Sequence, residues 1–204
     1  MHPRIGTFVS VLAVILGGTL CFGQTTRSTF KPSAAYQKLG IMVGSWVAHG
    51  TLNSEAEQLS RANDTTTTPA GKFSSTETCA WTADRFGVIC HSLEDIPGMG
   101  KIAVTDLVTY DSNSKNYLSL EVGASGTTLS RGNVEGNTWT WISTFPNETL
   151  RFTVRYISEN SCQLTVEGGP NLQSLKTTMQ ATLTRVRPKS APSTSAHKRP
   201  KSGG

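Results

Sequence analysis

Lys72-Phe73-Ser74-Ser75-Thr76-Glu77-Thr78-Cys79-Ala80-Trp81, then Thr82-Ala83-Asp84-Arg85-Phe86, then Gly87-Val88-Ile89-Cys90-His91-Ser92-Leu93-Glu94 is the stretch that decides the fold. Its two outer runs read as strands and the polar middle as a turn, so the segment predicts a β-hairpin. A two-residue loop at Asp84-Arg85 sets the register. It places Cys79 opposite Cys90 and His91 opposite Thr78. Directly opposed residues of a non-hydrogen-bonded pair bring their Cβ atoms close enough for a disulfide. The alternative is a pair of buried free thiols, which cores also hold. No C-x-x-C is present, so a redox pair is not expected. Only His49 and His91 lie in the body of the chain, too few to complete a four-ligand zinc site, and no metal is expected.

The same period-two alternation continues on both sides of the hairpin. It predicts strands near 45–52, 72–81, 87–94, 101–110, 116–123, 126–132, 137–145, 149–157, 161–167 and 174–185. Local turn signals separate them, among them Asp111-Ser112-Asn113-Ser114, Glu135-Gly136-Asn137 and Gly168-Gly169-Pro170. Before the first strand, Tyr36, Leu39 and Met42 recur at near-helical spacing. They predict one short helix over 33–43, with Ser33 as its N-cap and its end near Gly44. The expected fold is therefore all-β: an antiparallel up-and-down barrel of about ten strands with a short N-terminal helix. Closure removes the exposed edges of such a meander. The one long gap, 53–71, contains the polar run Asn63–Pro69 and reads as a loop over one end of the sheet.

Composition agrees. Of 204 residues, 36% are hydrophobic and 16% charged, against roughly 25% charged in an average globular protein. That disfavours coiled coils, helical bundles and polytopic membrane proteins. The net charge of +5 is misleading, because it is not spread evenly. Residues 187–204 carry Arg187, Lys189, Lys198, Arg199 and Lys201 and no acid. Residues 24–186 carry 13 basic groups against 14 acidic ones. A nucleic-acid footprint needs a basic face on the fold, so no nucleic-acid partner is expected. The tail reads as a disordered basic extension, able at most to touch anionic surfaces.

Residues 1–23 read as a secretory signal, with Arg4 ahead of the apolar run Phe8–Leu16 and small residues before Gln24. A lipoprotein reading would acylate Cys21, but Leu20 is bulky for that role. The apolar run is short of the about 20 residues that span a bilayer. An extracytoplasmic chain follows, periplasmic or secreted. It has a disordered lead-in at 24–32, one domain at 33–186 and three remaining cysteines, Cys79, Cys90 and Cys162, with Cys162 expected to be buried.

Several side chains could serve a site. Trp139, Trp141 and Phe145 share a strand face, and Leu150, Phe152, Val154 and Tyr156 share the next. They form either a filled core or the lining of an apolar cavity. If Tyr110 faces Tyr117, then Asp106 faces Glu121, and two acids side by side share a proton or hold a cation. A one-residue slip would separate them. Glu77 lies on the face of Cys79 and Trp81. If that face is inward, it is a buried acid that could orient a ligand or pair with Arg131. His91 would need a nucleophile or carboxylate to act as a base, and neither G-x-S-x-G nor a Ser/His/Asp spacing is visible.

Val43-Gly44-Ser45-Trp46-Val47-Ala48-His49-Gly50 sets a G-x-W at the head of the first strand, after a short helix. This opening resembles that of lipocalin-like (calycin) barrels. More narrowly, the chain resembles a group of uncharacterised secreted bacterial domains of unknown function with that fold. The resemblance is carried by Thr76–Trp81, Val88–His91, Pro97–Gly100, Thr109–Asp111 with Lys115 and Tyr117, and Gly136–Trp141, and it spans about residues 36–186. It implies that Trp46 closes the barrel bottom against the helix. It imports no settled activity. Related haem-binding nitrobindins open G-x-W-x-G-x-G; this chain has His49 where a spacer falls and only one following glycine, Gly50, so no cofactor is expected.

Three readings follow. The first is a barrel that binds a small, largely apolar molecule, with Glu77, Trp81, His91, Asp106, Glu121, Trp139, Trp141 and Phe152 as candidate ligand-binding residues. The second is a filled barrel with a structural, envelope or protein-interaction role. The third is a barrel enzyme that uses interior Glu, Asp or His, although no catalytic residue is assigned. Oligomeric state is not legible.

Overall fold

The computed structural model describes residues 31–53, 69–124 and 126–186. The signal segment, most of the lead-in, most of the 53–71 gap and the basic tail lie outside the described residues.

Ten strands follow a short helical segment. They are β1 Gly44–Leu52, β2 Gly71–Trp81, β3 Gly87–Ile96, β4 Gly100–Asp111, β5 Asn116–Gly123, β6 Gly126–Glu135, β7 Thr138–Thr144, β8 Thr149–Ser158, β9 Ser161–Gly169 and β10 Lys176–Val186. Each pairs antiparallel with its chain neighbours, and β1 pairs with both β2 and β10, so the sheet closes into a barrel. Closure leaves no row of unpaired backbone groups.

Period-two alternation fixes which side chains enter the barrel. In β7, Trp139, Trp141 and Ser143 are buried while the residues between them are less so. The close approach of β6 to Trp141 depends on a missing side chain. Gly132 lies opposite Trp141, and a Cβ there would come within 2.4 Å of the indole.

The β2–β3 hairpin has the expected register, with Cys79 opposite Cys90 and Thr78 opposite His91. Its loop is longer than two residues. The Thr82 amide donates to the Gly87 carbonyl at 2.9 Å, and the Arg85 amide donates to the Thr82 carbonyl at 2.9 Å. Arg85 sits at φ 59, and the Gly87 amide bonds the Thr82 hydroxyl at 3.1 Å. Because one residue was added on each side of the loop, the pairing is unchanged. The Cys79–Cys90 disulfide is formed, with Cα atoms 4.0 Å apart, and Cys162 is a buried free thiol.

The helix is shorter than its periodicity suggested. α1 covers Ala34–Lys38, and Leu39–Ile41 tighten into a 3₁₀ turn. Ser33 stands at the N-cap in extended conformation, but its side chain makes no capping bond. Five residues give a helix little intrinsic stability, so tertiary contacts hold this one. The Tyr117 hydroxyl donates to the Ala35 carbonyl at 3.0 Å. Tyr36 packs edge-on against Phe86 at 5.0 Å and Tyr110 at 5.6 Å.

The helical segment plugs one end of the barrel. Leu39 is fully buried there, with Trp46, Val88, Tyr117, Trp139 and Tyr156. The Trp46 indole N–H donates to the Met42 carbonyl at 2.8 Å. Arg185 lies over the Trp46 ring, 4.3 Å from its centroid. Its guanidinium also donates to the carbonyls of Val43, Ile41 and Glu159. A second, smaller cluster, built on Ala48, Leu52, Phe73, Ile96 and Ala181, occupies the other end.

Candidate functional site

Barrel diameter grows with strand number, and about eight strands leave an interior that side chains just fill or that takes one small ligand. Ten strands leave more room. Between the two clusters lies a cavity in two lobes of about 240 Å³ and about 210 Å³. Glu77, Asp106, Glu121, Phe152, Leu164 and Leu183 line both lobes, so the two adjoin.

Its walls differ in chemistry. β8, β9, β10 and β1 supply an apolar arc, with Leu150, Phe152, Leu164, Val166, Met179 and Leu52 facing inward. β2, β3, β4 and β5 supply an acidic arc, one carboxylate per strand: Glu77, Glu94, Asp106 and Glu121. Hydroxyls of Ser75, Ser92 and Ser119 belong to the same arc. No Lys, Arg or His lines either lobe among the described residues.

Register explains the acidic arc. Asp106 pairs with Glu121 and Cys90 with Asp106. Glu77 pairs with Ser92 in the next strand. Inward positions on adjacent strands therefore place the acids side by side.

The electrostatics follow from burial. Glu77 is pushed up to about 7, first by burial and then by the charges of Asp106 and Glu94. It makes no hydrogen bond or ion pair among the described residues. Asp106 is also raised by burial, although a 2.9 Å hydrogen bond from the Ser119 hydroxyl offsets part of that shift. Burial and the Glu77 charge push the Cys162 thiol up to about 11, so it is not a ready nucleophile.

Not every candidate reaches the cavity. Glu77, Asp106, Glu121, Trp141 and Phe152 line it. Trp139 does not. It is packed into the plugged end between Tyr117, at 4.8 Å, and Trp141, at 5.9 Å. Trp81 lies under the helical segment, with the Arg85 guanidinium 5.1 Å from its ring. His91 points outward, is exposed and shares a 3.0 Å hydrogen bond with the Thr105 hydroxyl. Arg131 is exposed on the outer face and does not meet Glu77.

Donor atoms of Glu77, Cys79 and Cys90 lie within 4.8 Å of one another. Both sulfurs are committed to the disulfide, so the trio offers one carboxylate and falls short of a metal set.

The residues missed from sequence are Glu94 and the apolar arc of β9, β10 and β1. The signal for Glu94 was present: it shares the parity of Cys90 and Ser92. The arc was hidden because Leu164, Met179 and Leu183 look like any core residues. Arg185, the latch of the plugged end, read as one more residue of a strand.

No family model matches this chain, and no curated protein matches it closely. Solved structures do. Rv2717c from M. tuberculosis superposes with a TM-score of 0.52 at 15% identity, covering 77% of this chain and 100% of that one. The S-type phycobiliprotein lyase CPES from Guillardia theta superposes with a TM-score of 0.53 at 9% identity, covering 75% and 93%. At such identities the likeness is one of fold. It agrees with the lipocalin-like barrel that the G-x-W opening suggested.

Proposed function

We propose that this protein is a carrier whose barrel takes a small, largely apolar molecule into its lumen. The observation that carries this reading is the two-lobed cavity beside the apolar arc of β8, β9, β10 and β1. Ligand sites are mostly apolar concavities with a few placed polar groups, and the acidic arc supplies those groups. A filled barrel would have no such space. One structural neighbour is by name a phycobiliprotein lyase, which supports a barrel of this shape working on a second molecule.

An extracytoplasmic location fits this role. It is supported by the signal-like segment 1–23 and by the disulfide, which persists in oxidising compartments. No helix among the described residues is long and apolar enough to cross a membrane.

A second reading, acid–base chemistry on the bound molecule, draws on the convergence of Glu77, Asp106 and Glu121. An acid held partly protonated near neutrality is suited to donate a proton.

Native mass spectrometry of protein recovered from the compartment of its own cells tests the carrier reading. A reproducible adduct of a few hundred daltons, lost on denaturation, is the expected result. A bare mass that persists after incubation with a lipid and pigment extract would overturn it.

A further inference from the structure

The two walls of the cavity differ in kind, and this narrows the ligand further than its size does. Four carboxylates on four consecutive strands face one lumen, and no cationic side chain lines it among the described residues. Buried charges are normally paired, because an unpaired one loses its hydration without compensation. Here Glu77 has only like charges near it. Opposite stands a hydrocarbon arc.

We propose that the lumen binds a cationic amphiphile: a primary or quaternary ammonium group against Glu77 and Asp106, with its apolar body along Phe152, Leu164 and Leu183. This rests on the carrier reading above and names its ligand class.

The chemistry separates this class from its neighbours. A fatty acid would bring a fifth negative charge to the acidic arc. A neutral alcohol fills the apolar half and leaves Glu77 without a counter-charge. A bare hard cation such as calcium takes 6–8 oxygen ligands and leaves the hydrocarbon arc unused. An organic ammonium satisfies both arcs. Size is compatible, since an apolar cavity of roughly 150 Å³ accommodates benzene and each lobe here is larger, at about 240 and about 210 Å³.

Protonation supplies an independent signature. Glu77 is faced by Glu94 from β3, Asp106 from β4 and Glu121 from β5. Tyr156 and Cys162 also approach it from β8 and β9, and Arg185 of β10 acts on that pair from the plugged end. Asp106 and Glu94 push Glu77 toward the neutral form, whereas a bound ammonium favours the charged form. Binding an amine near neutrality therefore expels a proton, and an alcohol does not.

The test is calorimetric titration of the whole protein with three probes of equal chain length, decylamine, 1-decanol and decanoate, at pH 7.5 and below their aggregation concentrations. An alkylamine is protonated there, as lysine is. Decylamine should bind at least tenfold more tightly than decanol, and decanoate more weakly than either. Glu77→Gln and Asp106→Asn should each remove most of the amine preference and leave decanol affinity within about twofold, which also reports an intact barrel. Glu135→Gln, on the exposed end of β6, should change nothing. Repeating the amine titration in buffers of different ionisation enthalpy should reveal the released proton. Equal binding of amine and alcohol, or tighter binding of decanoate, would overturn the cationic reading and leave the carrier reading standing. Failure of all three to bind would overturn both.

Discussion

Glu77 shows how one residue couples stability to the site. An ordinary glutamate titrates near 4.5, and in the fold Glu77 is raised to about 7. The folded state therefore holds this proton more tightly than the unfolded chain. Between those two values stability falls as pH rises, and above the upper one the loss is complete. The shift corresponds to about 3 kcal/mol at one pKa unit per ~1.4 kcal/mol. Asp106, raised for the same reason, adds in the same direction. Glu167, lowered by its ion pair with Arg151, acts oppositely and only at more acidic pH. The empty barrel should thus be more stable at pH 5 than at pH 8, and Glu77→Gln should flatten that profile and stabilise the protein at pH 8. Denaturant melts across this range decide it. A wild-type profile that is flat, or that rises with pH, would contradict the unpaired, buried state of Glu77.

The hairpin was the most legible element. Alternation and opposition place Cys79 against Cys90, and a loop longer by one residue on each side leaves the pairing intact. A one-sided change would exchange the two faces. The acid register followed from the turn between Tyr110 and Tyr117 in the same way. What alternation does not report is depth along the barrel. Trp139 and Trp141 share a face, yet only Trp141 reaches the cavity. Trp81 has the parity of Glu77 but lies at the plugged end. His91 has the opposite parity to Cys90, so its outward position was legible once that face was known to be inward. The helix is shorter than its spacing predicts because Leu39 and Met42 continue that spacing while the chain turns to enter β1. At this scale the disulfide closes a loop with a sequence separation of 11, which corresponds to about 3 kcal/mol. Replacing both cysteines with alanine should lower the melting temperature by roughly 10 °C without changing β-sheet content. An unchanged melting temperature, or alkylation of both thiols in unreduced protein, would contradict the bridge.

At the scale of the whole barrel, one end is plugged. The helical segment, Trp46 and Arg185 close one end, and an aromatic series through Tyr110, Tyr117, Trp139 and Trp141 runs from the plug toward the lumen. Ten strands were legible from turn spacing, and ten strands imply more lumen than eight. Whether side chains fill that lumen depends on residue volumes summed around the circle. No single stretch of sequence carries that sum, so the cavity emerged only in three dimensions. Its division into acidic and apolar arcs is likewise a property of strand order: each arc is assembled from residues far apart in the chain. The central claim, that this lumen is where a ligand sits, is tested most directly by obstructing it. Leu164 lines both lobes from β9, and Leu164→Trp places an indole in open space, where it adds bulk without crowding a filled core. Binding of 1-decanol should be saturable at one molecule per barrel in the wild type. In the variant it should fall at least tenfold while the melting temperature holds or rises. Equal binding by both proteins would place the ligand outside the lumen and contradict the account.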